Sequence, residues 1–284
     1  MAISDANPDT SRYDAVVIGG GSAGLQAALT LGRVHRRTLL LDGGTYRNDP
    51  ATHMHNFLGH DGTPPAELRA AARKDLAAYE TVTVRDTTVT AVAAEGDGFR
   101  VHLGDEEVST RGLILATGVR DTLPDKPGIP ELFGDLVAHC PFCHGHEFAG
   151  RPVALLGDGT AHLQGIMGPV ASSVTGLDVD TVASLERSGD GVRVHLEDGS
   201  SQEYAGVFVS TALTQAAPFA EQLGLRTLPS GCVEVDVLQR TSLPGVHAAG
   251  DMAHHPDLGM PMASVLTAAA SGMVAGAAMV AYLM

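Results

Sequence analysis

Cysteine is scarce in this 284-residue chain: three residues, too few for the disulfide framework of a secreted scaffold. Two of them, Cys140 and Cys143, are spaced C-x-x-C, which in a reducing compartment signals redox catalysis or metal binding. Basic charge is scarce too. Only 18 Lys and Arg stand against 33 acidic residues, a formal charge of -15, and no basic cluster interrupts that field. Such a surface repels phosphate backbones, which excludes nucleic acid as an expected partner. The N-terminus, Met1 to Asp14, lacks the apolar core of a signal peptide, so the cytosol is the expected location. Charge is missing altogether from Ala263 to Met284, where Gly272 and Gly276 form a G-x-x-x-G. The length suits a membrane span of about 20 residues. Its Ala, Gly, Ser and Thr are weak hydrophobes, however, and suit a buried helix packed closely on a neighbour, so no membrane is expected.

What is present points to an α/β protein with 44% hydrophobic residues and 34 glycines. Ala15-Val16-Val17-Ile18 reads as a buried strand, followed by Gly19-Gly20-Gly21-Ser22-Ala23-Gly24 and a helix toward Gly32. A second strand, Thr38 to Leu41, ends in Asp42, completing the β-α-β opening of a dinucleotide-binding fold. In that fold Gly19, Gly21 and Gly24 allow a tight turn, approach to a pyrophosphate and close helix packing, with Ser22 and Ala23 at the helix start. Asp42 is placed to hydrogen-bond a ribose hydroxyl. Pro64-Pro65 introduces a helix carrying Leu68 and Leu76; hairpin strands are expected near Val82 and between Phe99 and Val108.

The architecture occurs twice. Val89–Leu103 reads VTAVAAEGDGFRVHL and Val182–Leu196 reads VASLERSGDGVRVHL, without a gap. Each copy follows a strand with a G-x-G turn, Gly19/Gly21 or Gly157/Gly159, and each leads into an apolar strand, Leu113–Ala116 or Val207–Ser210. The fold expected is therefore α/β, with tandem Rossmann-like, FAD/NAD(P)-binding domains. Their spans are an FAD-binding first part over 1–118, a truncated NAD(P)-like domain with the C-x-x-C over 119–212, and an FAD-binding second part over 213–284. The second copy is shortened, because its second strand, Val174 to Asp178, runs almost directly into the hairpin.

These pieces resemble a low-molecular-weight thioredoxin-reductase-like flavoprotein over nearly the whole chain. The matching motifs are GGGSAG, the Leu113 strand ending in Thr117-Gly118, the C-x-x-C, and Gly245-Val-His-Ala-Ala-Gly-Asp251. The resemblance implies FAD as cofactor, with Thr117, Gly118, Gly250 and Asp251 in its site and Asp251 on the ribityl chain. It also places the start of the last helix, near Ala263, at the isoalloxazine edge, Asn56 close to the flavin ring, and two copies in a homodimer. Cys143 is implied to lie against the flavin and Cys140 to meet the outside thiol. His144 takes the position of the Asp that moves protons in thioredoxin reductases, and an imidazole there can accept a thiol proton near neutral pH.

Other readings stay open. Zinc could use a C-x-x-C with nearby His, but there is no second pair and Cys232 is isolated, so no metal is expected. Cys232 reads as a small strand residue, and His254 and His255 as surface loop residues. The second turn, Gly157-Asp158-Gly159-Thr160-Ala161-His162, puts His162 where a small residue should sit, and Gly165 and Gly168-Pro169 break the helix that follows. Its second strand is followed by Asp178-Val179-Asp180, with no basic residue for a 2′-phosphate. NADPH binding is thus expected to be lost. Cys-Pro-Phe-Cys-His-Gly and Thr52-His-Met-His-Asn-Phe-Leu-Gly-His-Asp-Gly-Thr-Pro-Pro65 resemble the dithiol oxidases of dithiolopyrrolone and epidithiodiketopiperazine natural products. That branch implies a small-molecule dithiol as substrate and O₂ as electron acceptor, giving H₂O₂. The alternatives are a reductase or C–S-cleaving enzyme drawing on NAD(P)H or another donor, and a non-enzymatic redox sensor.

Overall fold

The computed structural model describes residues 12–284, so the reading of Met1 to Asp14 falls almost entirely outside the described residues. The chain divides into two compact units. One takes in the chain up to Tyr46, Arg69–Arg120 and Thr214–Met284; the other is built from Arg47–Leu68 and Asp121–Leu213.

The chain opens with β1 (Tyr13–Ile18), α1 (Ser22–Gly32), β2 (Thr38–Asp42), α2 (Pro65–Leu76) and β3 (Val82–Asp86). The first hairpin and its continuation are β4 (Ala91–Glu95), β5 (Gly98–Leu103) and β6 (Glu106–Leu115). Then come β7 (Val119–Thr122), α3 (Ile129–Leu132), β8 (Val137–Ala138), α4 (Pro141–His144), β9 (Pro152–Leu156), α5 (Leu163–Met167) and β10 (Ser173–Leu177). The second hairpin region holds β11 (Val182–Ser188), β12 (Gly191–Leu196), β13 (Ser201–Tyr204) and β14 (Gly206–Val209). The last stretch is β15 (Ala212–Gln215), α6 (Phe219–Gln222), β16 (Val233–Glu234), β17 (Val246–Ala248), β18 (Ala253–His254) and α7 (Val265–Tyr282).

In the first unit the sheet runs β3-β2-β1-β6-β5-β4, with β17 also paired to β6. Val16, Val17, Leu39, Leu40, Leu113 and Ile114 are fully buried on these strands. Each such side chain stabilises the fold by roughly 1.5–3 kcal/mol on burial, which is why the short apolar runs read as strands. The strand at Val82 is not part of a hairpin. It pairs parallel to β2, Thr38 opposite Val82, after a crossover through α2. Its half-buried edge position produces the alternation that resembles a hairpin strand.

The uncharged C-terminal segment forms α7, the one described helix long and apolar enough to cross a membrane. Its glycine face is already occupied. A Cβ on Gly272 would stand 2.1 Å from the Ala23 carbonyl oxygen, and one on Gly276 would stand 2.9 Å from Thr30 Cβ. The small residues thus let α7 lie directly on α1.

In the second unit the parallel sheet runs β10-β9-β14-β8, and β11-β12-β13 forms a separate antiparallel sheet. The four parallel strands repeat β2, β1, β6 and β17 in order; β3 and the helix leading to it have no counterpart. The repeat is visible in detail at the hairpins. A Cβ on Gly98 would meet the Thr110 carbonyl oxygen at 2.3 Å, and one on its counterpart Gly191 would meet that of Tyr204 at 2.4 Å. As expected, α5 is short, five residues ending at Gly168, although Gly165 lies inside it.

Candidate active site

Three separated motifs meet in the first unit. Gly19, at φ +113, donates its N–H to the Leu41 carbonyl at 2.8 Å. A Cβ there would stand 2.2 Å from the Ala116 carbonyl oxygen, and one on Gly24 would stand 1.8 Å from that of Gly19. Only glycine fits either position. Around Gly21, by contrast, a Cβ would meet nothing within 4 Å. Gly21 caps α1 without a side-chain hydrogen bond, so the first-turn N–H groups of Ser22 and Ala23 face an open cradle. Ala23 also backs onto the other two motifs: Gly250, whose added Cβ would be 3.0 Å from Ala23 Cβ, and Gly272 of α7. Gly250 donates to Ser271 Oγ at 2.9 Å, fixing the turn that presents Asp251. Thr117 reaches Met252 in the same region, 3.4 Å from Oγ1 to sulfur, and Gly118 follows at the end of β6.

The last helix begins slightly later than its sequence suggests. Ser264 is the N-cap, accepting from the Thr267 N–H at 3.0 Å, so Ala263 lies just outside the helix.

Asp42 is buried at the end of β2 and carries more partners than the sequence reveals. It accepts from Gly44 N–H (2.9 Å), from the Tyr46 hydroxyl (2.6 Å) and from Arg73, which also reaches Asp86 (2.7 Å). Arg69, one helical turn before Arg73, covers the Tyr46 ring at 3.8 Å. Burial alone would raise the Asp42 carboxyl, but Tyr46, Gly44 and Arg73 outweigh it and hold it below the usual range. Tyr46 is pushed up to about 12 by burial and by Asp42. An ionised acid beside an open glycine turn and a free helix N-terminus fits the adenosine-ribose and pyrophosphate portion of FAD.

The second unit carries the sulfurs. Cys140 and Cys143 are joined in a disulfide with Cα atoms 5.3 Å apart, so neither is available as a zinc ligand. Cys140 is the N-cap of α4 and Pro141 its first residue, a position where a missing N–H costs nothing. His144 N–H donates to the Cys140 carbonyl at 3.2 Å. The His144 ring has one partner: Nε2 lies 3.1 Å from the Gly134 carbonyl oxygen. A carbonyl only accepts, so the proton sits on Nε2 and Nδ1 is a bare lone pair. That Nδ1 is buried and has no hydrogen-bond partner among the described residues. Gly134 can approach because it lacks a Cβ, which would clash with Pro50 at 2.7 Å, and because it adopts φ +92.

Asn56 belongs to this second unit, is exposed, adopts φ +61 and donates its backbone N–H to Asp61 at 2.8 Å. Its neighbour His55 lies 3.5 Å from Glu147, just beyond the disulfide helix.

Several residues escape sequence reasoning. Arg47, Asp121 and Thr211 form a buried polar cluster beside His139, gathered from distant stretches with no shared motif. His254 is not a surface residue but buried in β18. Its Nδ1 donates to the His255 carbonyl (2.9 Å) and its Nε2 accepts from Ser230 (2.7 Å). His247, inside the Gly245–Asp251 motif, is buried with both ring nitrogens unpaired among the described residues. Cys232 is fully buried next to β16, with its sulfur 3.6 Å from the Asp251 carbonyl.

The second cradle survives as a cleft of about 410 Å³, lined by Gly157, Thr160, Gln164, Gly176 and two carboxylates, Asp158 and Asp178, with no Lys or Arg. Asp178 ends β10 as Asp42 ends β2, but it is used to cap its own turn, accepting from Asp180 N–H at 2.9 Å.

Comparison with known proteins agrees with this geometry. The pyridine nucleotide-disulphide oxidoreductase family profile matches residues 13–161 and 171–272. Thioredoxin reductase tcpT of Claviceps purpurea is 33% identical, covering 93% of this chain and 92% of its own. Thioredoxin reductase sirT of Leptosphaeria maculans is also 33% identical, covering 94% and 93%. Among solved structures, HlmI superposes with a TM-score of 0.87 at 31% identity, covering 96% of this chain and 93% of its own. The chain belongs to the pyridine nucleotide-disulphide oxidoreductase family, as an FAD-dependent thiol/disulfide oxidoreductase of the thioredoxin-reductase-like kind.

Proposed function

We propose that this enzyme is a dithiol oxidase, closing a disulfide in a small-molecule dithiol and passing the electrons through FAD to O₂. The observation that carries this reading is the second cradle. Its cleft presents Asp158 and Asp178 where a nicotinamide dinucleotide would bring its phosphates, and it supplies no cation to offset them. Bringing a 2′-phosphate beside two carboxylates is unfavourable by like-charge repulsion and desolvation alike.

The sulfur chemistry follows from the site. One substrate thiolate attacks Cys140, breaking the Cys140–Cys143 bond and leaving a mixed disulfide and a Cys143 thiolate. The second substrate sulfur then attacks the first, closing the cyclic disulfide and releasing Cys140 as thiolate. The substrate has lost two electrons and two protons. His144 Nδ1, bare and buried, is placed to take a proton as each thiol ionises. Bound FAD supplies the two-electron relay that reoxidises the pair, with O₂ as final acceptor and H₂O₂ as product. Cytosolic location and a homodimer belong to the same reading; exposed Leu266, Met273 and Tyr282 on α7 are consistent with a second copy.

Two measurements test it. Anaerobic NADPH should leave the yellow flavin oxidised, whereas dithiothreitol should bleach it; bleaching by NADPH within seconds would instead establish a nicotinamide-driven reductase. Steady H₂O₂ release with dithiothreitol in air should follow, and its absence would favour a redox sensor.

A further inference from the structure

The site holds a second imidazole that the chemistry above does not use. His139 immediately precedes Cys140, and its ring stacks on Phe133 at 5.8 Å and 23°. Nε2 lies 3.4 Å from Nη2 of Arg47. A guanidinium nitrogen only donates, so Nε2 is the acceptor and the ring carries its proton on Nδ1. Arg47 is held in turn by both oxygens of Asp121, at 2.7 Å each, and Asp121 also accepts from Thr211 Oγ1 at 2.7 Å. The side chains of Arg47 and Asp121 are 16% and 6% exposed, so the pair is largely withdrawn from water. Burial raises the Asp121 carboxyl, but Arg47 and Thr211 outweigh it and hold Asp121 below its ordinary range.

We propose that Arg47 and Asp121 are positioning residues that keep His139 neutral beside the disulfide, so that His144 alone exchanges protons with the reacting thiols. This inference rests on the thiol–disulfide reading of the site. Four groups face the His139 ring. Phe133 covers it, Arg47 points a cation at Nε2, His144 lies near enough to oppose a second charge, and Asp121 is the one anion. Asp121 is already paired with Arg47. Burial first, and Arg47 next, press the ring down to about 4. The consequence falls on Cys140. When the Cys140–Cys143 bond re-forms, a cationic imidazole beside Cys140 would stabilise its thiolate and blunt its nucleophilicity. A neutral ring leaves the thiolate reactive. It also leaves one proton acceptor in the site, the unpartnered Nδ1 of His144.

The test is a histidine ¹⁵N titration of the FAD-loaded enzyme, with His139→Phe to assign the signal. It is run beside the anaerobic rate of flavin reduction by dithiothreitol as a function of pH. In the wild type the His139 ring should show no protonation above about pH 6, against an ordinary histidine near 6.5. Arg47→Gln leaves the Asp121 carboxylate facing the ring without a cation. His139 should then titrate between about pH 6 and 8, and the rate profile should gain a second ionisation. Arg47→Gln/Asp121→Asn removes both charges while burial remains, so the ring should fall silent and the profile return to one ionisation. A purely structural role would slow every variant without adding an ionisation. Wild-type His139 titrating above pH 6, or an Arg47→Gln profile that superimposes on the wild type, overturns the proposal. Should a variant fail to fold, the wild-type titration still decides. Failure of the oxidase reading appears separately, in the NADPH and H₂O₂ assays, and leaves the His139 titration unaffected.

Discussion

Replacing His247 by Phe should stabilise the enzyme, and by more at acidic pH than at neutral pH. His247 lies in β17, inside the motif that presents Asp251, and its side chain is 2% exposed with neither ring nitrogen hydrogen-bonded. Burial is the main reason its pKa falls from 6.5 to about 4; the attraction of Asp236 and the repulsion of Arg240 are smaller and oppose each other. The sign follows from linkage. The unfolded chain binds the proton near 6.5 and the folded chain only near 4, so acid favours unfolding throughout that window. Stability is intact above about pH 6.5 and falls as pH drops toward 4. At pH 5 the loss is roughly 2 kcal/mol, from about 1.4 kcal/mol per unit of pKa difference over the part of the window already crossed. Phe fills the same space without titrating. It also removes two unpaired polar atoms, worth about 1–3 kcal/mol at any pH. Urea unfolding followed by flavin fluorescence, at pH 7.5 and pH 5, checks both parts. The advantage of the Phe variant should widen by roughly 2 kcal/mol between the two. An equal advantage at both pH values would show that His247 is not the buried, neutral group described here.

Three further outcomes follow from the sites. His144→Gln keeps a side chain of similar reach but no titrating base, so anaerobic flavin reduction by dithiothreitol at pH 7 should slow about 10²-fold or more and lose its pH dependence. Unchanged pH dependence would place the proton acceptor elsewhere. Cys143→Ser and Cys140→Ser should each leave the flavin oxidised under anaerobic dithiothreitol while still binding FAD, read from the visible spectrum of the purified protein. Gly24→Ala forces a methyl into a space 1.8 Å from the Gly19 carbonyl oxygen. It should purify without its yellow colour, and retention of stoichiometric FAD would contradict the cradle assignment.

Much of the fold could be read from the sequence because its signals are local. Apolar runs at Ala15–Ile18 and Leu113–Leu115, the glycine turns and the gapless repeat each depend on neighbouring residues and map directly onto β1, β6 and the two hairpins. Val82–Asp86 was harder. Its alternation reflects an edge position, and only the crossover through α2 distinguishes a parallel edge strand from one arm of a hairpin. The sites divide the same way. The glycines, Asp42 and the cysteines sit in motifs of fixed spacing. Arg73 on Asp42, Arg47 on Asp121 and Gly134 under His144 are joined only by the tertiary fold, and nothing in local spacing marks them. His254 was misplaced because a polar residue after a turn reads as loop. Ser230 and the His255 carbonyl satisfy its two nitrogens and permit burial.

The two copies also show why one cradle fits a dinucleotide and the other does not. In the first, β2 is followed by a long excursion that returns through α2 to β3, and those two elements supply Arg73 and Asp86. Arg73 holds the Asp42 carboxylate ionised and in place at the end of β2. In the second copy β10 ends at Leu177 and β11 begins at Val182, leaving no room for an equivalent helix and strand. Asp178 therefore has no cation to orient it, and turns back to cap the short segment that replaced them. The shortened segment removes a wall of the binding site together with the positive charge that wall would carry. A carboxylate left in that cleft repels a phosphate, whereas the same residue type in the first copy, neutralised by Arg73, is compatible with a ribose. One deletion in one copy thus accounts for a retained flavin cradle and a disabled nicotinamide cradle, and leaves the disulfide as the entry point for electrons.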